Sequence, residues 1–233
     1  MRVLAVGAHP DDLEILCAGT LAKYRARGDA VVMCHVANGD KGHFIIPPDE
    51  LTKIRRQEAR DAAGVIGAEA MEGGFLDMEI HDSEQSRLRL IEIVRAARPD
   101  VILTHHPDDY HTDHKAVSAL MLEASFSATV PHVKTATEFL PKLPVIYFMD
   151  TLAGLHFQPT EYVDITAFMA QKKEMMSKHA SQLTWLMEHD NYDALDAIET
   201  MAKFRGYQCG VKYAEGFIRY QVWGRNQPGY FLP

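Results

Sequence analysis

The 233-residue chain has only three cysteines, Cys17, Cys34 and Cys209, and no CxxC pair. That excludes a disulfide framework, a thiolate zinc site and a dithiol redox motif, and leaves three free thiols with buried, inert roles. Positive charge is not in excess either: 24 Lys+Arg stand against 32 Asp+Glu, a formal net charge of -8. A protein that grips the phosphate backbone gathers a basic stripe, so no nucleic-acid partner is expected. One basic cluster, Lys53-Ile54-Arg55-Arg56, is followed by Glu58 and Asp61 and reads as a solvated helix face. Long apolar runs are missing too. Val3 to Gly7 is too short for the apolar region of a signal peptide, and no stretch approaches a membrane span. A cytoplasmic protein without membrane contact is the expectation. Neither a glycine-rich dinucleotide fingerprint nor a P-loop follows the first apolar run, and no repeat, low-complexity segment or linker divides the chain.

What is present is an ordinary core-forming composition, 47% hydrophobic and 24% charged. The first half alternates short β-branched runs with amphipathic segments. Val3–Gly7, Ala30–Val36 and Val101–Thr104 read as strands, with Glu69–Leu76 a weaker one. Leu13–Arg27, Leu51–Ile66 and Ser86–Ala97 read as helices, the first two stopped by Gly28 and Gly67. Between them, Asn38-Gly39-Asp40-Lys41-Gly42 and Pro47-Pro48 mark a mobile loop. Strand–helix alternation with short connections predicts right-handed βαβ units. The fold class is therefore α/β, a Rossmann-like three-layer sandwich with a mostly parallel sheet, in one domain spanning 1–233. The second half is less regular. Val145–Met149 and Phe217–Val222 look like strands; Phe168–His179 and roughly Asp193–Phe204 look helical.

In such sheets function gathers beyond the carboxyl ends of the strands. Ala8-His9-Pro10-Asp11-Asp12 follows the first strand, and His105-His106-Pro107-Asp108-Asp109-Tyr110-His111-Thr112-Asp113-His114 follows the central one. His9 and Asp12 are three apart across a strand-to-helix turn. His111 and His114 are three apart at the start of a helix, which puts them on one face. If the two strands are adjacent, these four side chains meet. An imidazole and carboxylate set suits zinc and also accepts iron, cobalt or nickel. Against this stands chance, since the chain has twelve histidines. His105 and His106 are read as rim or supporting groups. Asp11 and Asp113 have a competing structural role as caps of the helices they precede.

A strand running into AHPDD and a later HxDH resembles the LmbE-like, or PIG-L, family of zinc-dependent N-acetyl deacetylases. Gly19-Thr20, the Ala37-Asn38-Gly39-Asp40-Lys41-Gly42 loop, Arg55-Arg56-Gln57-Glu58 and Tyr213-Ala214-Glu215-Gly216-Phe217 extend the likeness over most of the chain. Ala37 stands where a Thr is usual. The resemblance implies that His9, Asp12 and His114 bind Zn2+, with Fe2+ an alternative. It makes Asp11 the general base, His111 the group that stabilises the oxyanion, and Asp113 the residue that orients His111. Arg55 would bind the polar or anionic part of the substrate, with Arg56 the fallback. The implied reaction removes an acetyl group from an N-acetylated small molecule of the N-acetylglucosamine type. The implied assembly is a homo-oligomer, a hexamer of paired trimers being one form. Two other readings are an amidase for a thiol-sugar conjugate and a non-catalytic metal- or nucleotide-binding module. Pro131 to Gln208 matches no motif and is assigned to substrate selection.

Overall fold

The computed structural model describes residues 1–233. Its frame is a seven-stranded sheet in the order β3-β2-β1-β4-β5-β7-β6. The strands are β1 (Arg2–Gly7), β2 (Ala30–Ala37), β3 (Glu69–Phe75), β4 (Val101–Thr104), β5 (Val145–Met149), β6 (Glu161–Asp164) and β7 (Ala214–Arg219). β3, β2, β1, β4 and β5 run parallel, whereas β7 is antiparallel to both β5 and β6. The helices are α1 (Asp12–Leu16), α2 (Ala18–Ala26), α3 (Pro48–Val65), α4 (Glu84–Ala97), α5 (Thr112–Ser127), α6 (Met169–Ser177), α7 (Ala180–Asp190) and α8 (Ala194–Cys209).

The alternation of β1 explains the three layers. Val3 and Ala5 face a core shared with Leu21 and Tyr24 of α2, Met175 and Met176 of α6 and Ile198 of α8. Leu4 and Val6 face the opposite core, with Leu90 and Val94 of α4 and Val117 and Met121 of α5. A central strand buried on both faces reads as a continuous apolar run for this reason. Each buried Val, Leu, Ile or Met side chain here contributes about 1.5–3 kcal/mol of burial.

Two expected elements differ. The helix read over Leu13–Arg27 is two helices, broken where Cys17 leaves helical geometry (φ −145°, ψ 8°). The buried Glu215 fills the break, accepting Gly19 N–H at 3.0 Å and Thr20 N–H at 2.7 Å and pairing with Lys172 at 2.5 Å. A remote carboxylate thus caps the new helix start, which local periodicity does not reveal. The last strand lies at Ala214–Arg219 rather than Phe217–Val222, because Glu215 must reach α2 while Phe217 enters the core. Strand β6 and helix α7 fall in the region left without assignment.

The chain winds outward from β1 to β2 and β3, then returns to place β4 on the other side of β1. That reversal is the topological switch point of an open parallel sheet. β1 and β4 pair directly, Val6 opposite Thr104, so the segments following them emerge side by side.

Candidate metal centre and active site

From β1 the chain turns through Ala8–Asp11 into α1. Asp11 sits at the helix N-cap position with φ 129°, a region L residues rarely occupy, and its side chain makes no capping hydrogen bond. Backbone strain of this kind costs about 1–3 kcal/mol and persists where surrounding contacts impose it. Here Arg55, buried on α3, supplies them. Its guanidinium donates to Pro10 O at 2.5 Å and Gly39 O at 3.1 Å, and lies 3.5 Å from the Asp11 carboxylate. Gly39 makes room: at φ 76° a Cβ there would lie 2.4 Å from the Arg55 Nε. The capping argument against Asp11 therefore does not apply to its side chain. Asp12 instead reaches back, accepting His9 N–H at 2.7 Å.

From β4 the chain passes His105–Tyr110 into α5. His111 is the N-cap, its Nδ1 accepting Asp113 N–H at 3.1 Å. A neutral His111 must then carry its proton on Nε2. Burial, followed by His9 and His114, lowers its pKa, which favours that neutral form. Asp113 binds neither its own helix end nor His111. It accepts Met78 N–H at 2.8 Å and lies 3.0 Å from His9 Nε2.

The two segments converge. Asp12 Oδ1 is 3.2 Å from His114 Nε2, and its Oδ2 is 3.6 Å from His9 Nδ1. The rings of His9 and His114 lie 5.5 Å apart, and each is 4.8 Å from the ring of His111. Nitrogens of His9, His111 and His114 fall within 4.8 Å of one another, as do donors of Asp12, His105 and His114. Two of these rings also meet an outer carboxylate: His9 faces Asp113, and His114 Nδ1 lies 3.2 Å from Asp109 Oδ2. Carboxylates behind imidazoles are the usual support for metal-binding histidines.

The charge balance of this cluster fits a cation. Asp12, Asp109 and Asp113 crowd one buried space and all three are held below the usual carboxylate range, burial being outweighed by the neighbouring histidines. Burial also opposes protonation of His9, yet hydrogen bonds to Asp113 and Asp12 raise its pKa to about 10. Burial is likewise overcome at His114 by Asp12 and Asp109, raising it to about 9. Two protons thus occupy the space where a divalent ion would balance the same carboxylates.

Of the two places expected for His105, the rim and a supporting position, it takes the supporting one. It is fully buried, and its Nε2 accepts Ala8 N–H at 2.9 Å. Burial, then His114, lowers its pKa to about 4. A ring nitrogen already used by the backbone is a poor donor to a metal, so His105 reads as a neutral brace stacked 3.9 Å behind His114. His106 packs against Phe148 and Phe157. Arg55 lines the site cavity, while Arg56 pairs with Glu72 at 2.7 Å outside it. Sequence reasoning missed Asp109, although the sequence carries its signal: His-Pro-Asp-Asp occurs at 9–12 and again at 106–109. In both copies the fourth residue is the buried carboxylate that meets His114. The β2–α3 loop is tethered, Asp77 accepting Gly39 N–H at 2.8 Å and Lys41 N–H at 3.2 Å. The cavity above these groups holds about 630 Å³.

The family described as PIG-L, GlcNAc-PI de-N-acetylase, matches residues 4–125, just over half of the chain and the whole of both site segments. The chain belongs to the PIG-L family. Among its PIG-L relatives, the diacetylchitobiose deacetylase of Thermococcus kodakarensis is 26% identical over 250 residues, covering 99% of this chain and 85% of that protein. The solved N,N'-diacetylchitobiose deacetylase of Pyrococcus horikoshii superposes with a TM-score of 0.82 at 27% identity, covering 94% of this chain and 83% of that one. The 4-carboxy-2-hydroxymuconate hydratase of Pseudomonas putida KT2440 shares the fold, with a TM-score of 0.82 at 23% identity over 99% and 100% of the two chains. No helix is long and apolar enough to cross a membrane.

Proposed function

We propose that the protein is a metal-dependent hydrolase that removes the acetyl group from an N-acetylglucosamine-type sugar or conjugate, with zinc as the metal and His9, Asp12 and His114 as its ligands. The observation that carries this reading is the approach of Asp12 to both His9 and His114, beside a strained, uncapped Asp11 and a His111 whose Nδ1 is taken by the backbone and whose Nε2 is free to carry a proton. A bound dication lowers the pKa of water and polarises an acetyl carbonyl. Burial, opposed by Arg55, raises the Asp11 pKa to about 6, which suits a base that must hold and then return a proton near neutrality. Asp11 takes the proton of the attacking water and passes it to the amine as the C–N bond breaks, leaving acetate and a free amine. His111 donates its Nε2–H to the developing oxyanion. Asp113 holds His9, and Asp109 holds His114. Arg55 keeps the Asp11 turn in place and offers its remaining edge to the substrate.

Chelation followed by add-back tests this: acetate release from N-acetylglucosamine or diacetylchitobiose must vanish with the metal and return with zinc. Acetate release that persists after complete metal removal overturns it. A second reading, hydration of an unsaturated acid, is favoured by the end-to-end match with the Pseudomonas hydratase. Loss of ultraviolet absorbance from an unsaturated dicarboxylate, without acetate release from any sugar, would select it. Two free thiols are buried and no disulfide forms, which supports a reducing, cytoplasmic setting. One sheet with a core on each face supports a single domain. Fully exposed Trp223 and Tyr230 support self-association, which sedimentation velocity would read directly.

A further inference from the structure

Gln182, in the first turn of α7, is only 2% exposed yet lines the site cavity. The residues before it pin that turn to the site. His179 Nε2 lies 3.4 Å from the buried Glu14 carboxylate of α1, and Ser181 gives its N–H and its Oγ–H to Glu58 of α3 at 2.8 and 2.6 Å. Gln182 Nε2 then donates to Gly42 O at 3.2 Å. That bond fixes which way the amide faces, because a flipped amide would set oxygen against oxygen. Its Oε1, an acceptor only, meets no protein donor. Arg55 stands beside it. A Cβ at Gly42 would lie 3.0 Å from Arg55 Nη1 and 3.3 Å from Gln182 Oε1, so the two atoms flank one point that glycine keeps open. Nη1 spends one N–H on Gly39 O and keeps its second, and Arg55 Nε has no partner.

A charged donor on one side of the gap and a lone acceptor on the other suit a hydroxyl, which accepts from the guanidinium and donates to the amide oxygen. A carboxylate or phosphate would satisfy Arg55 but set a negative oxygen against Oε1. A deoxygenated carbon or an ether would cover Oε1 and leave it unpaired, which is unfavourable. Tyr110 and Tyr192 also line the cavity, but a phenol gives or takes a hydrogen bond and so discriminates less. We propose that Gln182 is a specificity-determining contact that, with Arg55, binds one hydroxyl of the N-acetylated sugar and rejects substrates lacking it or carrying an anion there. This rests on the deacetylase reading. Gln182 lies within the stretch assigned to substrate selection, and its Oε1 gives that role an atom.

The test compares N-acetylglucosamine with its monodeoxy analogues, lacking the 3-, 4- or 6-hydroxyl, on the zinc-loaded protein. Wild type should lose about 10- to 100-fold in kcat/KM for acetate release on one analogue and little on the others. Gln182→Met, of similar length but without the amide, should treat that analogue and the parent sugar within about threefold of each other. Gly42→Ala fills the gap while keeping both polar groups, and should narrow the same ratio. Each ratio is taken within one protein, so partial unfolding or zinc loss lowers both rates and leaves it unmoved. A wild type that treats every analogue alike overturns the proposal. So does a Gln182→Met that discriminates as wild type does, the result for an amide that only tethers the Gly42 loop. Calorimetric Kd values for the same sugars separate the two readings. Acetate release without discrimination sinks the Gln182 contact alone, and no binding by any sugar overturns it too. Discrimination in Kd without acetate supports the contact and sinks the deacetylase reading.

Discussion

Replacing Asp11 by Asn should remove most activity and, in the metal-free protein at neutral pH, make the fold more stable. Burial raises the Asp11 pKa from 3.8 to about 6 even after the Arg55 contribution. A carboxyl whose pKa is higher in the folded state is easier to bury protonated. Below pH 4 it is protonated in both states and exerts no penalty. Between pH 4 and 6 the penalty grows, and above pH 6 it is fully present. A shift of about two pK units corresponds to roughly 3 kcal/mol. Asn carries no charge to bury, tolerates positive φ about as well as Asp, and leaves the Arg55 bonds to Pro10 and Gly39 in place. For a chain of this length the gain is about 6–12 °C in melting temperature at pH 7.5, shrinking towards zero at pH 4. The assay is thermal unfolding of both proteins in chelator across that range, beside acetate release with zinc, where losing a general base lowers the rate about 10²–10⁴-fold. A variant no more stable than wild type at pH 7.5 would refute the reasoning, because Asp11 would then be held by favourable contacts.

Further outcomes follow from the same geometry. His114→Ala should lose zinc outright, and full occupancy by metal analysis would remove His114 from the ligand set. Asp109→Asn should weaken zinc about 10–100-fold without abolishing it, read by competition with a chromophoric chelator, since Asp109 supports the His114 ring without reaching the ion. Apparent zinc affinity should rise between pH 7 and 10, because His9 (about 10) and His114 (about 9) must give up protons to bind it; a flat profile would contradict their proton-holding role. His179→Leu should destabilise the protein by about 3–5 kcal/mol in chemical denaturation. It strips the partner 3.4 Å from the fully buried Glu14, whose pKa burial would push up but His179 and His35 hold well below the usual range.

The parallel sheet and both site segments were legible because period and punctuation carry them. β1 and β4 are short apolar runs ended by polar motifs; that they are neighbours was only a condition in the sequence, and the direct pairing of Val6 with Thr104 meets it. What stayed hidden depends on partners far away in sequence. The break at Cys17 exists because Glu215, nearly two hundred residues later, caps the second helix. Helix α7 is tied to α3 where Glu58 accepts Ser181 N–H at 2.8 Å and Ser181 Oγ at 2.6 Å. The role of Asp113 was misplaced for a related reason. The family resemblance sets Asp113 to orient His111, but the helix N-terminus turns His111 Nδ1 onto the Asp113 backbone N–H and leaves the carboxylate facing His9.

Arg55 shows how such distant ties become chemistry. From α3 it holds the carbonyls of Pro10 and Gly39 together, and so fixes the turn that forces Asp11 to φ 129° beside a buried carboxylate cluster. Without that clamp the turn loses the contacts that impose its strain, although the carboxylate also loses the guanidinium charge that opposes its burial. The strain at Asp11 therefore has its cause on a distant helix. Arg55→Lys should relieve that strain, because a single ammonium on a flexible stem does not reproduce a planar fork bridging two carbonyls.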